Sequence, residues 1–232
     1  MERHIDHPVV LETKQLRKTY RTGGNDYCAL KGIDLKVQKG EFLGIMGPSG
    51  SGKSTLLNLI STIDSPTEGK VHIEGRDVFA LKENERSEFR REKLGFIFQD
   101  YNLLNQMNVY ENITLPMTLM KISKSEQKKR VDTLAKLFGL ERLLDKKIVN
   151  LSGGEKQRVT AARAIIMNPV VVMADEPTGA LDSRSSQNML EVLKKMNEEQ
   201  GVTIVMVTHD AFAAGYCSRI VRIKDGMVEN KP

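Results

Sequence analysis

The fold is decided by one glycine-rich stretch, Gly47-Pro48-Ser49-Gly50-Ser51-Gly52-Lys53-Ser54. It fits the pattern G-x-x-x-x-G-K-S/T. It also lies between an apolar run ending at Met46 and a helical pattern opening at Leu56, the strand–loop–helix setting that the pattern requires. Glycines let successive N–H groups turn inward, and the next helix adds a positive dipole end. Lys53 supplies a mobile charge for phosphates, and the Ser54 hydroxyl can ligate Mg²⁺. The stretch therefore predicts a nucleoside triphosphate site, with a chance match as the alternative.

Strand and helix patterns alternate along most of the chain. Apolar runs typical of strands cover Leu30 to Val37, Phe42 to Met46, Lys70 to Ile73, Val170 to Met173 and Val202 to Val207. Helical spacing begins at Leu56 and recurs from Met189 to Met196. Strands that alternate with helices predict a parallel sheet with crossover helices. The segment from about Leu81 to Lys147 is rich in charged residues, and we expect it to be a mostly helical insertion in that α/β core.

The composition excludes several classes of protein. Of the 232 residues, 40% are apolar and 28% are charged, which differs from membrane, collagen-like or disordered proteins. The net charge of +5 suits an anionic ligand or a place near a membrane, and it is too small to require nucleic acid. No apolar run approaches the roughly 20 residues of a membrane span, and the first ten residues lack the apolar region of a signal peptide. We therefore expect another chain to supply any membrane span.

Two adjacent carboxylates end a later apolar strand, Val171-Val172-Met173-Ala174-Asp175-Glu176. Ligands of parallel sheets gather beyond the carboxyl ends of the strands, so Asp175 is placed to hold Mg²⁺ directly or through water. Because neighbouring strand residues point to opposite sides, Glu176 has a different role. It can orient or deprotonate a water that attacks the γ-phosphate. The alternative is a solvated acidic strand end, and the glycine-rich stretch upstream makes that interpretation weaker.

A second glycine-rich helix start lies in Leu151-Ser152-Gly153-Gly154-Glu155. Ser152 and Glu155 have the spacing of a capping box, so a helix should begin near Ser152 and run toward Met167, before Pro169. Its N–H groups and positive dipole end suit a second anion contact. A plain helix cap would explain Ser152 and Glu155 but not the paired glycines.

The order of these motifs resembles that of the ATP-binding-cassette (ABC) ATPases. The resemblance covers nearly the whole chain and rests on the first glycine-rich stretch, Gln99, Leu151 to Gln157, Asp175–Glu176, Gly179 to Asp182 and His209. It implies an α/β P-loop NTPase fold with a RecA-like parallel-sheet core, an antiparallel β subdomain and an inserted α-helical subdomain. A single domain would fill residues 1–232. Its core and β subdomain would take about 1–85 and 165–232, and the helical subdomain with the signature motif about 86–164.

The resemblance also assigns roles at the site, with ATP and Mg²⁺ as cofactors. The catalytic residues would be Glu176, His209 and Gln99, and the metal would be held by Ser54, Gln99 and Asp175. Contacts to ATP would come from Tyr20, Gly47, Pro48, Ser49, Gly50, Ser51, Gly52, Lys53, Ser54 and Thr55. In a closed homodimer, a second copy of the chain would add Ser152, Gly153, Gly154 and Asp182.

Three of these roles are specific to one side chain. Tyr20 resembles the aromatic that stacks on adenine, with a strand-edge aromatic as the alternative. His209, which ends an apolar strand, resembles the switch histidine that contacts the γ-phosphate. Asp182 resembles the acid that crosses to the partner subunit, and it could instead, or also, cap the helix that runs through Leu190.

Further segments resemble one branch of the family: Gly95 to Leu104, Ala174 to Ser183, and Gly215 to Arg219 with Ile223 to Gly226. They are similar to the antimicrobial-peptide-resistance ATPases of bacitracin-exporter type, which are related to the lipoprotein-release and macrolide-export ATPases. The branch implies a peripheral, energy-coupling ATPase at the cytoplasmic face of a bacterial membrane. Its implied partners are a separate permease with a large extracellular domain and, in many systems, a sensor histidine kinase.

Other functions stay open at this point. A non-exporting mechanotransmission ATPase of the same superfamily, active in cell division or lipoprotein release, fits the same motifs. A nucleic-acid ATPase fits less well, because the chain has neither a long coiled-coil insertion nor a second cassette, and we expect no nucleic-acid partner. We place the permease contact at Gln99 to Tyr110, whose apolar residues could alternatively belong to the core of the helical subdomain. Residues 105–108 depart from the usual pattern of the branch, which bears on the choice of partner.

Overall fold

The structure is a computed structural model that describes residues 7–179 and 181–229. The strands are Val9–Thr22 (β1), Asn25–Gln38 (β2), Phe42–Met46 (β3), Glu68–Ile73 (β4), Arg76–Asp77 (β5), Leu94–Phe98 (β6), Val171–Asp175 (β7), Ile204–Thr208 (β8), Arg219–Lys224 (β9) and Met227–Val228 (β10). The α-helices are Lys53–Ile60 (α1), Glu83–Lys93 (α2), Val109–Leu119 (α3), Lys124–Phe138 (α4), Gly153–Ile165 (α5), Ser183–Gln200 (α6) and Ala211–Ala214 (α7).

A largely parallel sheet forms the centre of the molecule. Its strand order in the described residues is β10-β9-β3-β8-β7-β6, and the pairs from β9 to β6 are parallel. Strands β7 and β8 are buried almost throughout, which explains why their sequences are continuously apolar rather than alternating. The predicted α/β class and parallel sheet are confirmed, and β3 has the predicted bounds.

The two faces of this sheet pack into different cores. On β7, Val171 and Met173 join a core shared with α1 and the strands β1, β2 and β4. The alternate residues Val172 and Ala174 join a second core shared with the helices α3 to α6. The sheet is therefore a middle layer, with α1 and a second sheet on one side and helices on the other.

The second sheet is antiparallel and has the order β2-β1-β4-β5. Its long hairpin, β1–β2, turns at Gly23–Gly24 and contains several register shifts. Leu11 and Leu16 on β1 and Leu30 on β2 are fully buried against the core that includes α1. The antiparallel β subdomain implied by the resemblance is thus present.

The helical segment needs one correction to its expected boundary. Strand β6 lies inside the range 86–164 that we assigned to the helical subdomain, but it pairs with β7 as an edge strand of the central sheet. β6 is only five residues long and directly follows the charged helix α2, so the composition of the surrounding segment predicts helix rather than strand. Helices α3 and α4 and the start of α5 remain as the inserted layer, which therefore begins after Phe98.

Three strand ends meet at one edge of the central sheet. Strands β3, β8 and β7 are neighbours and parallel, so their carboxyl ends at Met46, Thr208 and Asp175 lie side by side. The glycine-rich loop, His209 and Glu176 each follow one of these ends. The topology therefore brings the predicted phosphate, switch and water-activating residues to one place.

Within the described part of the chain, every helix is too short or too polar to cross a lipid bilayer.

The close packing of α5 on β6 predicts that a side chain at Gly95 destabilises the fold. A Cβ added to Gly95 would lie 2.3 Å from the carbonyl oxygen of Ala164, a backbone atom that cannot move aside easily. Gly95→Ala should therefore lower the free energy of unfolding by about 1–3 kcal/mol, measured by urea denaturation. Gly154→Ala is the control, because the nearest atom to its added methyl group lies 3.9 Å away. Equal stability of the two variants would contradict this packing.

Candidate nucleotide and metal site

The glycine-rich loop between β3 and α1 passes through positions where a side chain does not fit. Gly47, Gly50 and Gly52 have φ values of 158°, 75° and 105°, in the region that favours glycine. A Cβ on Gly47 would lie 2.0 Å from the carbonyl oxygen of Ile223, and one on Gly52 would lie 2.7 Å from that of Ala29. The glycines are required by the close approach of neighbouring backbone.

Neighbouring strands hold this loop in shape. The Tyr27 hydroxyl on β2 donates to the Gly50 carbonyl at 3.2 Å, and the Gly226 N–H in the β9–β10 turn donates to the Ser51 carbonyl at 3.0 Å. Both contacts engage carbonyl groups, which are the parts of the loop that an anion would avoid. Pro48, Ser49 and Gly50 are exposed at the tip of the loop.

Helix α1 starts as an anion site would. Its first turn has no acidic residue, and its N-cap, Gly52, provides no side-chain hydrogen bond, so nothing local neutralises the dipole. Lys53 is only 6% exposed, and its Nζ donates to the Pro48 carbonyl at 2.9 Å. The buried Ser51 Oγ has no hydrogen-bond partner among the described residues. The loop thus has a folded-back ammonium, an unused hydroxyl and free helix N–H groups, all of which suit phosphate oxygens.

The predicted metal residues line a single cleft beside the loop. Ser54, Gln99, Asp175 and Glu176 border a cavity of about 280 Å³. Asp175 Oδ1 is buried and has no hydrogen-bond partner among the described residues. Burial raises the pKa of the Asp175 carboxyl, the Glu176 charge raises it further, and Lys53 opposes both. An orphaned carboxylate oxygen beside hydroxyl and amide oxygens fits Mg²⁺, which prefers oxygen ligands.

The cleft provides only part of a coordination shell. Among the described residues, no group of three His, Cys, Asp or Glu side chains could hold a metal by itself. Mg²⁺ usually completes its octahedron with water and substrate phosphates. The donor set therefore fits a metal that arrives with a nucleotide rather than a resident one.

The two predicted catalytic residues at the strand ends touch. Glu176 Oε1 lies 3.1 Å from His209 Nδ1. Glu176 has a φ of 43°, an unfavourable value for a residue with a side chain, and its N–H donates to the Val207 carbonyl at 3.0 Å. Backbone strain of this kind collects at functional positions, where surrounding contacts hold it. A Cβ on Gly179 would lie 3.2 Å from Gln99 Cδ and 3.3 Å from Glu176 Oε2, so Gln99 also belongs to this group.

The second glycine-rich segment starts the helix α5, which is closed by a capping box. Ser152 Oγ accepts the Glu155 N–H at 3.3 Å, and Glu155 Oε2 accepts the Ser152 N–H at 2.7 Å, which confirms the capping box. Ser152, Gly153 and Gly154 border neither the metal cleft nor the adjoining cavity of about 700 Å³ that Glu176 and His209 line. These residues therefore take no part in lining the cleft that holds Ser54, Asp175 and Glu176 in their own chain.

Asp182 has the structural role that was its alternative. Its side chain accepts the N–H groups of Arg184 and Ser185, both at 3.0 Å, and so caps α6. These bonds lower the pKa of the Asp182 carboxyl, with the Ser185 N–H as the main cause. The cap leaves the crossing role of Asp182 as a prediction.

Tyr20 lies close to the turn that joins the two strands of the β1–β2 hairpin. It is 36% exposed, and its Cα pairs with that of Tyr27, whose hydroxyl contacts the glycine-rich loop. Its own hydroxyl donates to Asp64 Oδ2 at 3.0 Å. Tyr20 is thus both a strand aromatic and a neighbour of the loop, while stacking on adenine stays a prediction.

Several side chains at the site are not predicted from the sequence. Tyr27 is one of them, and the only signal for it is its position opposite Tyr20 in the β1–β2 hairpin. Arg163 on α5 donates to the carbonyls of Tyr101 and Asn102, at 2.7 and 2.5 Å, just after Gln99. Burial lowers the pKa of the Arg163 guanidinium to about 10. Nothing in the local sequence marks this arginine, since its partners are backbone atoms 61 and 62 residues away.

Comparison with known proteins gives a consistent result. The family model described as ABC transporter matches residues 30–179. The chain is 49% identical over 219 residues to the bacitracin export ATP-binding protein BceA of Halalkalibacterium halodurans, which covers 94% of this chain and 87% of that protein. It is 46% identical to the macrolide export ATP-binding/permease protein MacB of Syntrophobacter fumaroxidans, covering 95% of this chain and 31% of that protein.

A solved structure has the same fold. The dimeric post-hydrolysis structure of the ATP-binding cassette MJ0796 of Methanocaldococcus jannaschii, bound to ADP and Pi, superimposes with a TM-score of 0.83. The two chains are 44% identical, and the match covers 96% of this chain and 97% of that one.

The Asp175 carboxylate oxygen that is buried without a hydrogen-bond partner among the described residues should lower the free energy of unfolding of the nucleotide-free protein at neutral pH. Because its pKa is raised on folding, its contribution to stability is present when it is protonated and is lost as pH rises through the folded pKa. Asp175→Asn should therefore melt at a higher temperature than the wild type at pH 7–8. This gain should shrink as pH falls toward about 4, the ordinary range of an aspartate.

Calorimetric melting without nucleotide or metal measures this effect. Asp145→Asn, at an exposed aspartate, is the control and should change the melting temperature little at any pH. A lower melting temperature for Asp175→Asn at neutral pH would contradict the electrostatic description of the cleft.

Proposed function

The chain belongs to the ABC transporter ATP-binding family and is an ATPase of that family, and on this premise we propose that it drives a separate membrane permease that confers resistance to peptide antibiotics such as bacitracin. The observation that carries the finer part is its 49% identity with BceA over nearly the whole length of both chains. MacB supports the permease, since its name joins an ATP-binding part to a permease and this chain matches only 31% of it. The working place would be the cytoplasmic face of the membrane, against that permease.

In the proposed mechanism, the loop and α1 bind the phosphates of ATP. Backbone N–H groups of the loop and of the first turn of α1 cradle the phosphate oxygens, and Lys53 turns from the Pro48 carbonyl toward the β- and γ-phosphates. Ser54, Asp175 and Gln99 would hold Mg²⁺, which neutralises charge on the phosphates when it is bound. The cradle would position the γ-phosphate beyond the carboxyl end of β7, beside Glu176, the residue that follows the strand.

Glu176 would activate the water. Its carboxylate orients a water in line with the γ-phosphorus and accepts a proton as the new P–O bond forms and the bond to ADP breaks. His209, whose Nδ1 lies 3.1 Å from Glu176 Oε1, would donate to a γ-phosphate oxygen and hold the carboxylate in position. Gln99 borders the same cleft and would link the metal and water to the helical layer.

A second copy would complete the site. Ser152, Gly153 and Gly154 start a capped helix and line no part of the same chain's metal cleft. In a head-to-tail dimer these N–H groups, with Asp182, would meet ATP held by the other copy. The dimeric MJ0796 structure with ADP and Pi supports this arrangement. ATP would then be shared by two copies, and loss of the γ-phosphate would weaken their contact.

An apolar groove is the proposed permease contact. It has a volume of about 390 Å³ and lies where β6, α2, α3 and α5 meet. Ile63 and Leu119 at its edge are more than half exposed, and Arg90, Arg91 and Arg163 line it. Such a groove fits an amphipathic helix with an acidic residue, supplied by the permease. It includes Phe98 and Asn102, which flank Gln99, so its occupant could move the metal cleft.

The groove revises the contact surface expected from the sequence. Of the segment Gln99 to Tyr110, Leu103 and Tyr110 pack against the core of the helical layer, whereas Leu104 is 40% exposed. From this segment only Asn102 lines the groove, and α2, α3, α5 and β6 contribute most of its lining. The sensor histidine kinase stays a prediction, as does the bearing of residues 105–108 on the choice of partner.

Two substitutions separate binding from hydrolysis. Glu176→Gln keeps the shape of the side chain but removes the base, so the variant should bind ATP normally and lose roughly 10²–10⁴-fold in turnover. Lys53→Ala removes a charge-assisted contact and should weaken ATP binding by about 10- to 100-fold. Calorimetry with ATP and phosphate-release assays measure the two properties. Normal turnover by Glu176→Gln, or unchanged affinity of Lys53→Ala, would refute the corresponding role.

Growth on antibiotics tests the transport part. Deleting the gene should sensitise the cell to bacitracin, and the wild-type gene should restore growth. Leu119→Glu places a charge at the edge of the arginine-lined groove, where it would obstruct the partner. The purified variant should keep its ATPase activity, but its gene should not restore resistance to the deletion strain. Met227→Glu is the matched control, because Met227 is similarly exposed but lies on β10. Full resistance with Leu119→Glu would contradict the groove as the permease contact.

A second candidate function rests on the 46% identity with MacB. In that case the permease would export macrolides, and the deletion strain would become sensitive to a macrolide while bacitracin tolerance stayed unchanged. The non-exporting alternative in cell division or lipoprotein release would leave both tolerances unchanged and would instead alter division or lipoprotein localisation.

A further inference from the structure

A compact polar cluster surrounds Tyr20. The Lys18 ammonium donates to Asp64 Oδ1 at 2.7 Å and to the Ser65 carbonyl at 2.7 Å, and it lies 4.9 Å from the centroid of the Tyr20 ring. The Tyr20 hydroxyl donates to the other oxygen, Asp64 Oδ2, at 3.0 Å. The Asp64 carboxylate therefore accepts hydrogen bonds from two groups. One is the Lys18 ammonium, which lies over the Tyr20 ring, and the other is the hydroxyl of that same ring.

The cluster is well shielded for a surface feature. The side chain of Lys18 is 13% exposed and that of Asp64 is 31% exposed. Burial raises the pKa of the Asp64 carboxyl, but Lys18, the Ser65 N–H and the Tyr20 hydroxyl together hold it below its ordinary value. Asp64 therefore stays ionised at neutral pH and remains an acceptor for both partners.

The segment that carries Asp64 is fastened at both of its ends. The N–H of Asp64 donates to the Asn58 carbonyl in α1 at 3.1 Å. Three residues further on, the Thr67 N–H donates to the Arg17 carbonyl at 2.9 Å, and the Thr19 N–H donates to Thr67 Oγ1 at 3.0 Å. Asp64 is thus fixed both to the C-terminal end of α1 and to β1, the strand that carries Tyr20.

This geometry connects the two ends of a nucleotide site through one rigid helix. The N-terminus of α1 is the phosphate site, and the segment that follows its C-terminus holds the ring of Tyr20. An exposed tyrosine would otherwise have to be ordered when a base stacks on it, and that ordering reduces affinity. A ring held at its hydroxyl and contacted by a cation is ordered before the base arrives.

We propose that Asp64, together with Lys18, is a positioning residue that holds the Tyr20 ring ready to stack on the adenine of ATP at a fixed distance from the phosphate loop. The proposal rests on the proposed ATP site and on the stacking role of Tyr20. Asp64 itself touches no nucleotide atom in it. The effect is therefore confined to ligands that carry a base.

The test compares a ligand with a base and one without. ADP binding is measured by calorimetry, and tripolyphosphate binding is measured as inhibition of ATP hydrolysis. Asp64→Ala should weaken ADP binding about three- to tenfold, which is the value of one charge-assisted hydrogen bond together with the ordering of the ring. The competitive inhibition constant of tripolyphosphate should stay unchanged. In a Tyr20→Ala background, Asp64→Ala should have no further effect on ADP.

Glu12→Ala is the matched control. Glu12 lies on the same strand, is 22% exposed and pairs with Lys14 and Lys36, but its partners include no aromatic ring. It should leave both affinities unchanged. Asp64→Asn, which keeps an acceptor for the Tyr20 hydroxyl, should fall between the wild type and Asp64→Ala, and it guards against misfolding of the alanine variant.

Three results would overturn the inference: unchanged ADP affinity in Asp64→Ala, equal weakening of ADP and tripolyphosphate, or an Asp64→Ala effect that persists without the Tyr20 ring. Each leaves ADP binding by the wild type intact. A wild-type chain that binds neither ADP nor tripolyphosphate would instead refute the nucleotide site itself, so the two failures are distinguishable.

Discussion

The structure depends on the attraction between a polyanion and backbone N–H groups that the fold leaves free. Free N–H groups at a helix start are costly unless a ligand or solvent meets them. Gly47 and Gly52 allow the loop to pass against Ile223 and Ala29, where no side chain fits, and the first turn of α1 has no acidic residue. The two sheets that pack around α1 fix this shape before a nucleotide binds.

The same interaction is split between two places in one chain. The second glycine-rich helix start, at Ser152, does not line the metal cleft of its own copy. In the proposed mechanism, a triphosphate that contacts both helix starts must therefore join two copies. The attraction that binds ATP would then also hold the dimer, and cleaving ATP would reduce the charge that holds it. Binding, hydrolysis and movement would share one source of free energy, passed to a permease through the groove beside Gln99.

Much of the fold could be predicted from the sequence, because buried parallel strands are continuously apolar and glycine-rich turns have few alternatives. The strand β3 and the cap at Ser152 are local features that the sequence predicts correctly, and the cap at Asp182 was one of the two roles left open for that residue. The strand β6 was not predicted, because it is a five-residue apolar run that directly follows a charged helix, and its place in the central sheet depends on pairing with the distant strand β7. The contacts of Tyr27, Asp64 and Arg163 join distant parts of the chain, so periodicity and motif spacing could not reveal them.

The most direct test of this account is the mass of the hydrolysis-blocked protein in solution. Sedimentation velocity of Glu176→Gln with Mg²⁺ and ATP should show a species of twice the 26.1 kDa of one chain, and the same protein with ADP should sediment as single chains. If calorimetry shows that this variant binds ATP and yet it sediments as single chains with or without it, the shared triphosphate is not what holds two copies together, and the account is wrong.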